Sequence, residues 1–425
     1  MRKILVGAAL LCAAAPVAAE TVVITAARML DVEAGRLVAN PVVVVTDGRI
    51  SSVATRGGGE ANLPAGATRI DLGDVTILPG LIDMHVHLAG SARIRGYRSL
   101  EYTDSFNATL GVGNARNMLR AGFTTVRNLG TGDYADVALK QGIEGGFYPG
   151  PRIVPATRSF GATGGHCGGG NLLPPSFKSV TERGVNGVEA VRFQVRENRR
   201  FGAEVIKVCA TGGVFSKNTE PGQQQMTFEE LKAAADEAHM LGLKVAAHAH
   251  GAAGIKDAIR AGIDTIEHAS LIDDEGIRLA KERGTYLSMD IFNTEFTQSE
   301  GAKTGALEEN LRKDREVAQA QRDGFRKAHR AGVKMVFGSD AGVMPHETAA
   351  GQFRYMVQYG MTSAEAIRAA TSNAARALGR ERDVGTIAVG RFADMVAVAG
   401  DPLADVTLLE KPVAVIKGGK RVGAE

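Results

Sequence analysis

The chain has 425 residues, of which 44% are hydrophobic and 23% are charged, so a largely disordered protein is excluded. Its 50 basic and 47 acidic residues leave a net charge of +3, which excludes the strong basic footprint of a protein that binds nucleic acid or anionic membranes. The length exceeds that of one ordinary domain and predicts one large unit with a smaller one beside it.

Residues 1–19 have the pattern of a secretory signal peptide. Two basic residues follow the initiator Met, residues 4–15 are apolar, and residues 17–19 supply the small side chains that a signal peptidase requires. The apolar run is shorter than the roughly 20 residues that span a bilayer. We predict cleavage after Ala19 and an exported, periplasmic protein whose mature form has no membrane segment. Retention of the segment as an N-terminal anchor is the alternative.

Cleavage at this point would leave two cysteines, Cys167 and Cys209. An oxidising compartment allows them to pair, but two cysteines do not define a disulfide framework. We therefore expect two buried free thiols.

Both ends of the chain predict short strands. An Asp47-Gly48 turn lies between two apolar runs, which is a hairpin signal, and Gly418-Gly419 forms a second turn near the C-terminus. The predicted strands are Thr21–Thr25 and residues 42–46, 49–53, 395–399 and 413–417. Because these parts are rich in strands and poor in helices, we expect residues 20–74 and 385–425 to form one small β-sandwich domain.

The middle of the chain repeats a helix–glycine–strand unit. Glycine suits the left-handed position after a helix, and continuous apolar runs suit strands buried on both faces. Six helical stretches end on a glycine that an apolar run follows, at Gly122, Gly202, Gly242, Gly262, Gly284 and Gly332. Apolar runs at 75–87 and 151–157 bring the predicted strands to eight.

This alternation predicts an α/β fold, a TIM-type (β/α)8 barrel over residues 75–384. An open doubly wound sheet is the alternative. It has less support, because no G-x-G-x-x-G opens a helix after the first strand.

Histidine, lysine and aspartate stand at the C-terminal ends of the predicted strands, the face on which barrel enzymes build active sites. His85 and His87 end the first strand, and His248 and His250 end the fifth. Because strand side chains alternate, each pair points to one side and can chelate a metal ion. The other residues at this face are Lys207 in the fourth strand, His268 in the sixth and Asp340 in the eighth. With five of the nine histidines at one face, the sequence predicts a metal site.

The segments that carry these residues resemble the amidohydrolase superfamily. They are LPGLIDMHVHL (78–88), IKVCATGG (206–213), VAAHAHG (245–251), TIEHA (265–269), GSDAG (338–342) and the tail ATSNAARALG…GTIAVGRFADMVAV (370–398). The resemblance covers essentially the whole mature chain. Within the superfamily the sequence is most similar to the imidazolonepropionase-like and prolidase-related branch, and there to exported metal-dependent dipeptidases that release C-terminal Arg or Lys.

The resemblance implies a centre with two divalent metal ions, expected to be zinc. His85, His87 and Asp340 would bind one ion, and His248 and His268 the other. Lys207, carboxylated by CO2, would bridge both as an anionic ligand that zinc accepts beside imidazole. Two metals about 3.5–4 Å apart can activate a shared hydroxide. The catalytic Asp340 would take its proton and pass it to the leaving amine.

Two histidines resemble family positions that contact substrate. The catalytic His250 is expected to donate to the scissile carbonyl oxygen. His166, in the loop after the third strand, is expected to meet a carboxylate; a loop histidine without such a role is the alternative. His346, in the loop after Asp340, is a further substrate-binding candidate.

The combined prediction is a hydrolase of dipeptides that releases C-terminal Arg or Lys. The alternatives are an Xaa-Pro dipeptidase, a hydrolase of cyclic amides and, in a different class, an exported barrel that only binds metal or ligand. A role of Asp340 in proton transfer favours an enzyme over a barrel that only binds metal or ligand. A basic side chain needs acidic partners, and the carboxylates after the seventh strand are Glu295, Glu300, Glu308 and Glu309. The expected partner is a small peptide substrate, with no nucleic acid, and self-association is left open.

Overall fold

The computed structural model describes residues 20–55, 64, 66–178 and 182–423. The predicted signal peptide therefore lies outside the described residues. Within these ranges, no helix is both long enough and apolar enough to cross a membrane.

Short strands occupy the N-terminal segment. They are β1 (Thr21–Thr25), β2 (Arg28–Asp31), β3 (Arg36–Ala39), β4 (Pro41–Thr46), β5 (Arg49–Thr55), β6 (Thr68–Asp71) and β7 (Thr76–Pro79). β4 pairs antiparallel with both β1 and β5, so the Asp47-Gly48 turn closes a hairpin between β4 and β5. The predicted hairpin is confirmed, whereas β2, β3 and β6 are additional to the prediction.

Strands alternate with helices in the middle of the chain. The strands are β8 (Leu81–Val86), β9 (Phe123–Asn128), β10 (Arg152–Pro155), β11 (Val205–Cys209), β12 (Lys244–Ala249), β13 (Thr265–His268), β14 (Tyr286–Ser288) and β15 (Met335–Val336). The described helices are α1 (Asp104–Arg120), α2 (Ala135–Glu144), α3 (Val188–Arg200), α4 (Phe228–Met240), α5 (Ala252–Ala261), α6 (Asp274–Arg283), α7 (Asn293–Glu300), α8 (Glu308–Ala331), α9 (Gln352–Gln358), α10 (Ser363–Ala369) and α11 (Ser372–Leu378). Every apolar run predicted as a strand in this segment contains one.

The strands β8 to β15 lie in two parallel sheets. Their orders are β10-β9-β8 and β11-β12-β13-β14-β15. Isolated parallel bridges join Phe160 to Val208 and Val86 to Ala341, which connects the two sheets at both ends of the strand order. The fold is mixed α/β, as predicted, and the C-terminal strand ends lie on one side.

The last strands return to the N-terminal ones. They are β16 (Met395–Val398), β17 (Ala414–Lys417) and β18 (Lys420–Arg421). They complete a six-stranded sheet, β18-β17-β16-β7-β2-β3, beside a four-stranded sheet, β5-β4-β1-β6. Ile24, Val43, Ile77 and Met395 contribute to one buried apolar core between these elements. The two chain ends therefore share a sheet and a core.

The predicted strand 75–87 is divided at Gly80. Its first half is β7 in the six-stranded sheet, and its second half is β8 in a parallel sheet. A Cβ on Gly80 would overlap the Thr124 side chain, so a larger residue does not fit where the chain passes between the sheets. Both halves are buried, so the sequence shows one continuous apolar run.

Candidate metal centre

One cavity lies at the C-terminal ends of the parallel strands. Its wall includes all seven residues that the sequence places at this face, His85, His87, Lys207, His248, His250, His268 and Asp340. They come from β8, β11, β12 and β13 and from the segments that follow β8, β12 and β15. The parallel arrangement of the strands brings these distant residues together.

The first group of ligand atoms belongs to His85, His87 and Asp340. The Nε2 atoms of the two imidazoles lie 3.4 and 3.3 Å from the same Asp340 Oδ1. Ligands bound tetrahedrally to zinc at about 2.0–2.2 Å are separated from one another by about 3.3–3.5 Å. The observed spacing fits one divalent ion between the three side chains.

The second group contains His248, His250 and His268, whose ligand atoms lie within 4.8 Å of one another. His268 Nδ1 contacts Asp290 Oδ1 at 2.9 Å, and His248 Nε2 contacts the Gly212 carbonyl oxygen at 3.1 Å. Each ring therefore keeps its other nitrogen for a metal. Asp340 also lies within 4.8 Å of His268, so the two groups are adjacent.

A buried ion pair orients His85 from behind. Glu267 Oε2 lies 3.2 Å from His85 Nδ1, and Glu267 Oε1 accepts a 2.7 Å hydrogen bond from Arg127. Both charged side chains are essentially inaccessible to solvent. Burial by itself would raise the pKa of Glu267. The charge of Arg127 and the contact with His85 have the larger effect and hold the pKa of Glu267 well below its usual range. A carboxylate in this position fixes the ring and strengthens its basicity toward a metal.

Two site residues adopt backbone angles that side chains disfavour. His268 has φ +68° and Asp340 has φ +56°, both in the left-handed region. The Asp340 N–H donates to the His85 carbonyl oxygen at 2.8 Å, which holds this conformation. Such conformations cost of order 1–3 kcal/mol and are concentrated at functional sites.

Lys207 is 3% exposed and lines the cavity. Among the described residues, its ammonium takes part in no hydrogen bond or ion pair, although the charges of Glu267 and Asp340 act on it. Burial lowers the pKa of Lys207 to about 8, which increases the share of neutral amine. The neutral amine is the form of a lysine side chain that can add CO2.

Three of the imidazoles are held in their neutral, metal-binding form, whereas at His268 the effect of burial is outweighed by contact with Asp290, which raises the pKa of His268. Burial lowers the pKa of His85 to about 4 and takes those of His248 and His250 well below their ordinary value. Burial also opposes ionisation of Asp340, but His85 and His87 hold its pKa well below its usual range. Neutral imidazoles around a carboxylate form a donor set that fits divalent zinc.

Of the other predicted substrate residues, His166 lies at the cavity and His346 does not. The His166 ring stacks on His248 with 4.1 Å between centroids, and its Nδ1 lies 2.9 Å from Ser216 Oγ. His346 contacts the His87 carbonyl oxygen at 3.2 Å and is no part of the cavity wall. The loop after Asp340 therefore turns His346 toward the His87 backbone.

The expectation of two free thiols is wrong, because Cys167 and Cys209 form a disulfide. Their Cα atoms are 5.8 Å apart although 42 positions separate them in sequence. The loop after β10 folds back onto the end of β11, which the sequence spacing does not reveal. The bond ties the His166 loop to the strand that carries Lys207.

The glutamates suggested as partners for a basic substrate do not line the cavity. Three of them form ion pairs with other side chains, Glu295 with Arg322, Glu300 with Lys303 and Glu308 with Arg315. The acidic side chains of the wall, besides Asp340, are Asp290 and Asp314. Asp290 ends the predicted strand TYLSMD, so the sequence could have predicted its position at the cavity. Asp314 lies inside α8, and no pattern in the sequence marks it as a cavity residue.

A family comparison agrees with this geometry. The model of the amidohydrolase family matches residues 76–422. The chain belongs to this family. It is a hydrolytic enzyme, and members of the family are typically metal-dependent.

Relatives of known structure or activity cover nearly the whole chain. Ochratoxinase of Aspergillus niger is 32% identical over 417 residues, covering 91% of this chain and 83% of that protein. A Xaa-Pro dipeptidase solved with methionine in its active site has a TM-score of 0.86 and 34% identity, covering 94% of this chain and 99% of its own. A prolidase complexed with N-methylphosphonate-L-proline also has a TM-score of 0.86 and 34% identity, over 95% and 99% of the two chains.

Proposed function

We propose that this amidohydrolase is a two-metal dipeptidase that releases C-terminal Arg or Lys. The observation that carries the proposal is the convergence of two histidine groups around Asp340 in the cavity that Lys207 also lines. In this proposal His85, His87 and Asp340 would hold one zinc ion, His248 and His268 would hold the second, and Lys207, carboxylated by CO2, would be the anionic ligand between them. The eight parallel strands would close into a (β/α)8 barrel, a closure that the two inter-sheet bridges support.

Two divalent ions bound there would activate a water molecule and polarise the scissile carbonyl. Asp340 then accepts a proton and delivers it to the leaving amine nitrogen. His250 Nδ1 lies 2.8 Å from Ser270 Oγ, which orients the ring and leaves Nε2 to donate to the carbonyl oxygen. A site that only binds a ligand has no need of this proton transfer.

Asp314 supports the preference for a basic residue. It is 5% exposed, lines the cavity and accepts hydrogen bonds of 2.6 Å from Thr294 and Gln298. No Lys or Arg of the described chain forms an ion pair with it, and burial raises its pKa. A guanidinium or ammonium group of the substrate would supply the missing charge.

The proposal predicts faster hydrolysis of Ala-Arg than of Ala-Pro, Ala-Leu or a cyclic amide. We expect kcat/KM for Ala-Arg to exceed that for Ala-Leu at least about tenfold, which corresponds to about 1.4 kcal/mol in transition-state binding. Asp314→Asn should remove this preference, with hydrolysis of Ala-Leu unchanged. A tenfold advantage of Ala-Pro would establish the prolidase alternative, which the similarity to the Xaa-Pro dipeptidase favours. Turnover of a cyclic amide alone would refute the peptidase.

Export to the periplasm is part of the proposal, and the Cys167–Cys209 disulfide supports it because such bonds persist in oxidising compartments. Expression of the full chain in a bacterium should yield a periplasmic protein that begins at Glu20. Mass spectrometry of the intact protein from the periplasmic fraction checks this. A full-length chain that stays with the membrane fraction would instead support the retained anchor.

A further inference from the structure

A second pocket adjoins the metal centre. His166 and Phe215 belong to the walls of both cavities. The charged side chains of the second pocket are Arg95, Arg98 and Lys217, and its wall contains no Asp or Glu. We call it the basic pocket.

Arg95 is the buried member of the basic pocket, with 8% exposure. Its Nε donates to Thr304 Oγ1 at 3.1 Å, and one terminal nitrogen donates to the Val343 carbonyl oxygen at 2.8 Å. The guanidinium carbon lies 4.5 Å from the centre of the Phe215 ring. These contacts fix the plane of the guanidinium at the wall shared with the metal centre.

Arg95 has no carboxylate partner of its own in the part of the chain that the structure describes. The negative charges that favour its ionised form are those of Asp340 and Asp314. In the proposed function Asp340 binds a metal ion and Asp314 pairs with the basic side chain of the substrate. Neither carboxylate then neutralises the charge of Arg95. A buried charge without a partner is costly, and two neutral hydrogen bonds do not compensate it.

The rest of the pocket reinforces the positive potential. Lys217 Nζ lies 5.1 Å from the centre of the Tyr97 ring, which places its charge over an aromatic face of the same wall. Arg98 is exposed at the mouth of the pocket. A guanidinium held in a fixed plane is the group that recognises a carboxylate through two parallel hydrogen bonds.

We propose that the basic pocket binds a carboxylate of the substrate, with Arg95 as the residue that selects it. The inference rests on the proposed function and extends it, because it requires a substrate with an acidic group on the His166 side of the cleaved bond. Two sources have the same chemistry, the C-terminal carboxylate of the dipeptide and an acidic side chain of its N-terminal residue.

Arg95→Met keeps the length of the side chain and removes its charge, and Arg93→Met at an exposed position two residues away is the matched control. Two substrate pairs distinguish the sources, Ala-Arg against its C-terminal amide and Glu-Arg against Gln-Arg. A hydrogen-bonded charge contributes about 1.5–3 kcal/mol, so one of the two kcat/KM ratios should fall by about 10–100-fold in Arg95→Met only. The pair that responds identifies the source.

The assignment would be overturned if Arg95→Met left both kcat/KM ratios unchanged, or if it lowered kcat/KM equally for every substrate. Calorimetric binding of N-acetylarginine and of its amide tests the pocket without turnover, so the inference can fail or hold even if the protein cleaves no peptide. If the C-terminal carboxylate is the source, Arg95→Met should weaken binding of N-acetylarginine and leave binding of its amide unchanged, at constant metal content. If the acidic side chain is the source, the same loss should appear in binding of Glu-Arg relative to Gln-Arg. If Arg95→Met does not fold, Lys217→Met in the same wall should reduce the same ratio.

Discussion

Replacing Lys207 by alanine is expected to abolish the two-metal centre and nearly all hydrolysis. The alanine cannot bridge two cations, and the repulsion between them is then poorly screened. Loss of metal activation removes several kcal/mol of transition-state stabilisation, so kcat/KM should fall about 10³-fold or more. Elemental analysis should give two zinc ions per chain for the parent protein and fewer for the variant.

Lys244→Ala is the matched control, because Lys244 is an exposed lysine at the start of β12 in the same sheet. It should retain both metals and full activity. A short carboxylate such as propionate should restore part of the activity of Lys207→Ala, because it can occupy the space of the missing carbamate. Two tightly bound metals in Lys207→Ala, or a parent protein that binds only one, would contradict the bridging role.

Replacing Glu267 by glutamine is expected to have two independent effects. It should destabilise the fold, and it should weaken metal binding. It leaves the Arg127 guanidinium, which is 1% exposed, without the negative charge that pairs with it at 2.7 Å. Breaking such a pair costs about 3–5 kcal/mol, which denaturant unfolding in the presence of a chelator should detect. It also removes the carboxylate behind His85, and losses of this kind reduce metal affinity about 10–100-fold.

The double variant Arg127→Met/Glu267→Leu separates the two effects. Because it leaves no unpaired charge, most of the stability should return, as it does when buried pairs are replaced by apolar side chains of similar volume. The metal affinity should stay low, because nothing orients His85. A double variant as unstable as Glu267→Gln would show that the ion pair does not account for the loss.

Much of the architecture follows from local patterns in the sequence. The apolar runs after Gly202 and Gly242 form β11 and β12, and the helix α4 (Phe228–Met240) lies between them and ends before Gly242. Thr227 starts that helix with a reciprocal pair of hydrogen bonds to Glu230, and Gly262 ends the next helix at φ +95°. These signals are local, because each depends on hydrogen bonds within one turn.

The candidate ligands were accessible to sequence reasoning for a related reason. Parallel strands of similar length end at one face, so a polar residue at the end of a buried apolar run has a predictable position. The alternation of side chains then puts His85 and His87, or His248 and His250, on one side. Sequence patterns alone are therefore sufficient to predict the parallel strands of the middle segment, the mixed α/β class and the seven His, Lys and Asp residues at the strand ends that line the cavity.

Contacts between distant segments were decided by the tertiary structure alone. Arg127 and Glu267 pair across 140 positions, and the Cys167–Cys209 bond depends on how a loop folds back over β11. The division at Gly80 depends on the closeness of Thr124 from another strand. Such contacts arise from packing in three dimensions, and a residue pattern with period two or 3.6 carries no information about which distant segment covers it.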